Sequence, residues 1–194
     1  MLDLEPATGV MTRLVVGVRD DQLDAPTPCS EATVGDLLDH VDGLSLAFTA
    51  AATKTPLDAE SQAPSADASR LGADWRERIP DRLAELAAAW RVETAWCGVT
   101  RAGGRDLPSD IAGIVALDEV AVHGWDIAVA TGQDFTCDPE LLEAAYAFVQ
   151  STVAQNPDGS AGLFGPPVPV PDEAPLVDRL IGLTGRDPAW SGRP

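Results

Sequence analysis

Two histidines occur in this 194-residue chain, His40 and His123, and both fall in stretches with helical periodicity. His123 follows Glu119 by four positions in Leu117-Asp118-Glu119-Val120-Ala121-Val122-His123-Gly124-Trp125-Asp126. Residues four apart on a helix project from one face, so a carboxylate oxygen and an imidazole nitrogen can meet at one point. His40, in Val34-Gly35-Asp36-Leu37-Leu38-Asp39-His40-Val41, would add a second imidazole from a facing helix. Two imidazoles and a carboxylate around a divalent ion leave a coordination position open, an arrangement of catalytic rather than structural sites. Bound water there reaches a pKa of ~7, and a thiol of intrinsic pKa ~8.5 ionises outright on binding. The competing reading is that Glu-x-x-x-His is common in acidic helical sequence and that all three are ordinary helix-face residues.

Two carboxylates could orient the rings. Asp36 lies one helical turn before His40 and Asp126 nearly one turn after His123. Either can accept the remaining imidazole N–H and fix the tautomer. Helix capping explains Asp36 equally well, and solvent exposure explains Asp126. Arg101 and Arg105 flank Gly103-Gly104 in an otherwise acidic chain, where they could hold an anion near the metal or simply be solvated.

The elements that must position these groups read as helices. A first amphipathic helix runs from about Ala7 to Arg19, and Thr33-Val34-Gly35-Asp36 opens a second that reaches about Ala52, with Asp36 in the capping-box position. Residues Thr53 to Ser69 read as a connector rich in Ala, Pro, Ser and Asp. A third helix spans roughly Leu71 to Trp96, with Pro80 expected to kink or split it near Ile79. The segment 101–108 reads as a turn, with no strand pair. Ser109-Asp110 opens a fourth long helix, ending near Thr131-Gly132. A fifth opens at Asp138-Pro139-Glu140 and runs to about Gln155; a short last one lies near Ala174 to Thr184, after a Gly/Pro-rich stretch. The expected fold is all-α, a four-helix bundle with short additional C-terminal helices and a Gly/Pro-rich tail, in one domain over residues 1–194. The five tryptophans, including Trp125, read as core or groove residues.

Composition narrows the function classes. Thirteen basic against 31 acidic side chains give a net charge of −18, which repels phosphate backbones and argues against nucleic-acid binding. Apolar runs are too short to span a membrane, and the start Met1-Leu2-Asp3-Leu4-Glu5-Pro6 lacks a signal peptide's basic and apolar regions, so a cytoplasmic location is expected. Cys29, Cys97 and Cys137 are odd in number and widely spaced, which indicates neither a disulfide framework nor a thiolate zinc site. Cys29, just before a helix start, could have a lowered pKa or be an inert buried thiol.

Three motifs, in this order, resemble the DinB-like superfamily of metal-binding four-helix bundles, and in particular its actinobacterial branch related to the N-terminal domain of mycothiol-dependent maleylpyruvate isomerase. They are Thr27-Pro28-Cys29 with Asp36-Leu37-Leu38-Asp39-His40, then Asp118-Glu119-Val120-Ala121-Val122-His123-Gly124-Trp125-Asp126, and last Phe164-Gly165-Pro166-Pro167-Val168 with Leu180 to Pro188. The resemblance implies that His40, Glu119 and His123 are the metal ligands and that relatives use a low-molecular-weight thiol. Ala32 stands where the family commonly has a tryptophan. The isomerases are further expected to carry a C-terminal domain that this chain lacks.

The reading that follows is a divalent-metal protein acting as a thiol transferase, with mycothiol or a similar thiol attacking a small electrophile. Zinc suits the donor set; nickel, iron and manganese also fit. A metal-dependent hydrolase and a non-catalytic metal- or ligand-binding bundle are the alternatives. The partners expected are a small thiol and its electrophile, and a homodimer is compatible with the sequence.

Overall fold

Thr33 and Asp36 close the first turn of the helix that carries His40. The Thr33 amide donates to Asp36 Oδ2 at 2.8 Å, and the Asp36 amide donates to Thr33 Oγ1 at 3.2 Å, so two of the first-turn amides are satisfied reciprocally. The computed structural model describes residues 1–30, 32–57, 66–160 and 163–192. Its helices are α1 (Glu5–Gly17), α2 (Val34–Thr53), α3 (Trp75–Trp90), α4 (Ser109–Thr131), α5 (Pro139–Gln155) and α6 (Leu176–Leu183). Two short strands, β1 (Val99–Ala102) and β2 (Arg105–Pro108), lie between α3 and α4.

Helices α1 to α4 form the bundle. α3 packs on α1 and α2, and α4 packs on the same two helices from the other side, which closes a ring of four. α5 lies against α4 outside this ring, and α6 packs on α5. The core runs through Met11, Leu14 and Val15 of α1, Leu37, Leu38 and Val41 of α2, Ile79, Leu83 and Trp90 of α3, and Ala116, Leu117 and Ile127 of α4. α4 touches the bundle on one side and α5 on the other, so it buries residues all around its circumference, as expected of a central helix. Asp42 is buried on α2 between two cations of α3, with Arg78 Nε at 3.0 Å and Arg82 Nη1 at 2.8 Å.

Three expectations from sequence are corrected here. α3 is shorter than the expected span; Ala68–Arg70 before it and Glu93–Trp96 after it are 3-10 turns. It also continues through Pro80 without a break, although proline there removes the amide that would pair with the Arg76 carbonyl. The segment read as a plain turn is an antiparallel hairpin, with Thr100 opposite Leu107 and Ala102 opposite Arg105. Gly103 and Gly104 both have positive φ, 56° and 74°, the backbone of a two-residue type I′ loop. Most of the connector between α2 and α3 lies outside the described residues.

Candidate metal centre

His40 sits in the second turn of α2, and Glu119 and His123 sit on successive turns of α4, the helix packed against it. His123 Nε2 lies 3.1 Å from Glu119 Oε2, and His40 Nε2 lies 3.7 Å from the same oxygen. The two rings meet edge to face, with centroids 5.0 Å apart. One ligand atom from each of the three residues falls within 4.8 Å of the others. A tetrahedral ion with bonds of about 2.0–2.1 Å separates neighbouring donors by about 3.3 Å, so the donor set fits a small divalent cation. The side chains of Glu119 and His40 are 18% and 21% exposed against 9% for His123. The donors therefore open outward on one side.

The second nitrogen of His123 has its own partner. His123 Nδ1 lies 3.0 Å from Asp126 Oδ2. Asp126, fully buried, also receives Arg186 Nε on Oδ1 at 2.7 Å and Arg186 Nη2 on Oδ2 at 2.9 Å. The solvent-exposure reading of Asp126 is thus overturned, because α5 and the C-terminal segment cover that face of α4. Asp36, by contrast, caps: besides Thr33, its Oδ1 accepts the Ala68 amide at 2.8 Å.

Charge follows from this geometry. Burial disfavours imidazolium at His123, yet hydrogen bonds and charge from Asp126 and Glu119 outweigh it and raise the pKa to about 9. Burial likewise works against the Glu119 carboxylate, but His123 and His40 hold its pKa below the ordinary carboxylate range. Without a metal, a proton between two carboxylates supplies the positive charge that the cluster demands. Burial, with Glu119 alongside, pushes the Asp118 carboxyl well up, and its Oδ1 has no hydrogen-bond partner among the described residues.

The donors open into a cavity of about 410 Å³, within the usual range of small-molecule sites. Ala32 and Leu37 form one wall, Leu163 and Phe164 another, with Cys29, Ser160 and Arg186 between. Thr27 Oγ1 fixes the Cys29 to Ala32 loop by donating to the Ala32 carbonyl at 2.8 Å, and Phe164 packs edge-on to Phe148 of α5, centroids 6.4 Å apart. Burial raises the Cys29 pKa even though the Arg186 charge opposes it, which agrees with the buried-thiol alternative and not with a lowered value. Its sulfur, His123 and Asp126 form a second close donor set, which shares His123 and is already closed by Arg186.

Arg101 and Arg105 do not line this cavity. Arg101 instead borders a separate cavity of about 480 Å³ with Ala47, Ala50, Pro56 and Leu57, and donates to the Gly104 carbonyl at 3.1 Å. The cation beside the three candidate donors is Arg186, which sequence reasoning missed; its only signal was membership of the C-terminal motif. Trp125 is buried in the core rather than in the cavity wall.

The family model for the mycothiol maleylpyruvate isomerase N-terminal domain matches residues 4–128, which takes in α1 to α3, the hairpin and both ligand-bearing helices. The chain belongs to that family. As a member of the mycothiol maleylpyruvate isomerase N-terminal domain family, it is similar to two Mycobacterium tuberculosis proteins, uncharacterized protein Rv0738 of strain H37Rv and uncharacterized protein MT0763 of strain CDC 1551. Each is 30% identical over 183 residues, covering 93% of both chains. Among solved structures, a crystal structure of a mycothiol-dependent maleylpyruvate isomerase mutant superposes with a TM-score of 0.68 at 19% identity, covering 94% of this chain and 86% of that one. A second crystal structure of the isomerase gives a TM-score of 0.60 at 20% identity, covering 96% and 88%. These share the DinB-like helical fold with this family member.

Proposed function

We propose that this protein holds one divalent ion through His40 Nε2, Glu119 and His123 Nε2, and with it activates a small thiol of the mycothiol type for attack on an electrophile. The observation that carries the reading is the convergence of three donors onto one point that opens into a partly apolar cavity. Membership of a family named for a mycothiol-dependent enzyme supports the thiol. Bound there, the ion would supply the positive charge that favours a thiolate over a thiol at neutral pH.

The chain's own residues do the remaining work. Asp126 accepts the proton on His123 Nδ1 and so leaves Nε2 free to donate its lone pair. Arg186 neutralises Asp126 in its buried setting. Leu37, Leu163 and Phe164 exclude water from one side of the cavity, which strengthens the electrostatics inside it. Nitrogen and oxygen donors of this number suit zinc, with nickel, iron and manganese decided by availability. Three free cysteines accord with a reducing, cytoplasmic setting, and no helix among the described residues is long and apolar enough to cross a membrane.

The test is metal analysis followed by turnover. Purified protein should carry about one divalent ion per chain and accelerate the loss of monochlorobimane only when both ion and mycothiol are present. His123→Ala should lose most of the ion while keeping its helical circular dichroism. Full metal retention in that variant defeats the site. Thiol-independent ester hydrolysis by the loaded protein would transfer the same site to a hydrolase.

A further inference from the structure

We infer that the electrophile accepted by this cavity is an uncharged, apolar molecule, a small aryl or alkyl carbon bearing a leaving group, and not a carboxylate-bearing acid. The inference rests on the thiol-transfer reading for its chemistry and on the cavity's own walls for its substrate class.

Recognition of a carboxylate inside a cavity calls for a guanidinium or ammonium whose donors face the ligand. Among the described residues, Arg186 is the one Lys or Arg lining this cavity. Its Nε and Nη2 are both directed at the Asp126 carboxylate, at 2.7 and 2.9 Å, with Arg186 8% exposed and Asp126 not at all. The Arg186 charge is already balanced by Asp126, so a substrate carboxylate approaching its remaining donors would bring a net negative charge into a largely buried setting. Outside the described residues, positions 31, 58–65 and 161–162 contain no Lys or Arg, and Arg193 is the one cation.

The charge count points the same way. A dication with Glu119 and two neutral imidazoles carries +1, Asp126 and Arg186 cancel, and a thiolate brings the total to zero. A second anion then finds no charge to meet it. What the cavity does offer is apolar surface: Leu37, Phe164 and Leu163, the last 46% exposed. Ala32 lines the wall with a single methyl group.

The reaction balances without an oxidant. The thiol proton leaves to solvent, the sulfur lone pair forms the C–S bond, and the carbon–halogen bond breaks with its electron pair departing on the halide.

The experiment compares 1-chloro-2,6-dinitrobenzene with 4-chloro-3,5-dinitrobenzoate, which share a leaving group and two nitro groups ortho to it and differ in one carboxylate. With metal-loaded protein and mycothiol, kcat/KM above the uncatalysed rate should favour the uncharged compound by tenfold or more. The two purified S-aryl mycothiol conjugates are then tested for raising the melting temperature; the uncharged conjugate should stabilise and the carboxylated one should stabilise less. Equal or better turnover of the benzoate, equal stabilisation by its conjugate, or stabilisation by neither conjugate overturns the inference. Turnover that prefers the benzoate would do so while sparing thiol transfer. Preferential binding of the uncharged conjugate with no turnover of either compound would uphold the cavity's preference and defeat thiol transfer instead.

Discussion

Arg186 grips both oxygens of Asp126 from 60 positions further along the chain, and the same carboxylate holds His123 through Nδ1. A residue of the C-terminal tail is thereby joined, through one carboxylate, to a histidine in the middle of the bundle. The three groups form a file from Arg186 through Asp126 to His123, and Glu119 and His40 lie beyond it.

Asp126→Asn should break this file at its centre. Arg186 would keep a buried charge without a counter-ion, which destabilises the fold by ~3–5 kcal/mol, and the ring orientation of His123 would loosen, weakening metal affinity by ~10–100-fold. Urea denaturation and competition with a chromogenic chelator measure the two effects separately. Unchanged metal affinity would show that Asp126 does not orient the ligand.

The metal-free protein should have a pH profile with two limbs. His123 has a raised pKa of about 9 against an ordinary 6.5, so its contribution to stability is complete below pH 6.5 and is lost as pH rises through 9. The lowered pKa of Glu119 acts in the opposite sense: its contribution is present above the ordinary 4.5 and is lost as pH falls through the folded value. Melting temperature of the metal-free protein should therefore decline from pH 6.5 to 9, and His123→Ala should flatten that limb. An ion at Nε2 displaces the extra proton, so metal binding at pH 7 should release about one proton, measurable by calorimetry in buffers of different ionisation enthalpy.

Gly113→Ala should destabilise the bundle by ~1–3 kcal/mol. A methyl group there would come within 2.6 Å of Trp96 and 2.8 Å of Trp90. Neither indole can move freely, because Trp90 Nε1 donates to the Phe48 carbonyl at 3.1 Å and Trp96 Nε1 donates to the Trp90 carbonyl at 2.7 Å. Tryptophan fluorescence during denaturation reads the change, and metal content should stay as it was.

Gly182→Ala should reach the metal site indirectly. Its added carbon would collide with Val170 and sit 2.8 Å from the Val168 carbonyl oxygen, where the Val168 amide now donates to the Gly182 carbonyl at 2.8 Å. Shifting α6 displaces Arg186 just beyond it, so metal affinity should fall along with stability. Gly9→Ala is the contrast: open space surrounds the new methyl, and that variant should gain ~0.5–1 kcal/mol from helix propensity. Equal behaviour of the two in chelator competition would break the link from tail to site.

The sequence reveals the ligand-bearing helices because their evidence is local. A capping box at Thr33 and Asp36 and the four-residue spacing of Glu119 and His123 need no tertiary information. His40, the one other histidine and also in a helical run, was expected from a facing helix, and the fold brings it there. The hairpin escaped because its strands, Val-Thr-Arg-Ala and Arg-Asp-Leu-Pro, lack apolar alternation; Gly103-Gly104 was the one usable hairpin signal. Asp126 was misread because α4 is covered on all sides, so no polar face marks solvent. Arg186 lies in a Gly- and Pro-rich stretch whose pairing depends on how the tail crosses the bundle. Arg101 and Arg105 drew attention by their rarity, but charge composition carries no positional information.

The pairing of Arg186 with Asp126 also imposes an order on maturation. Synthesis delivers the helix of His40 first and that of Glu119 and His123 next, so the three donors can assemble while the tail is still emerging. During that interval Asp126 has only the imidazole as a partner. Closure of so long a loop lags behind helix packing. The buried carboxylate therefore gains its second partner last, when the tail docks.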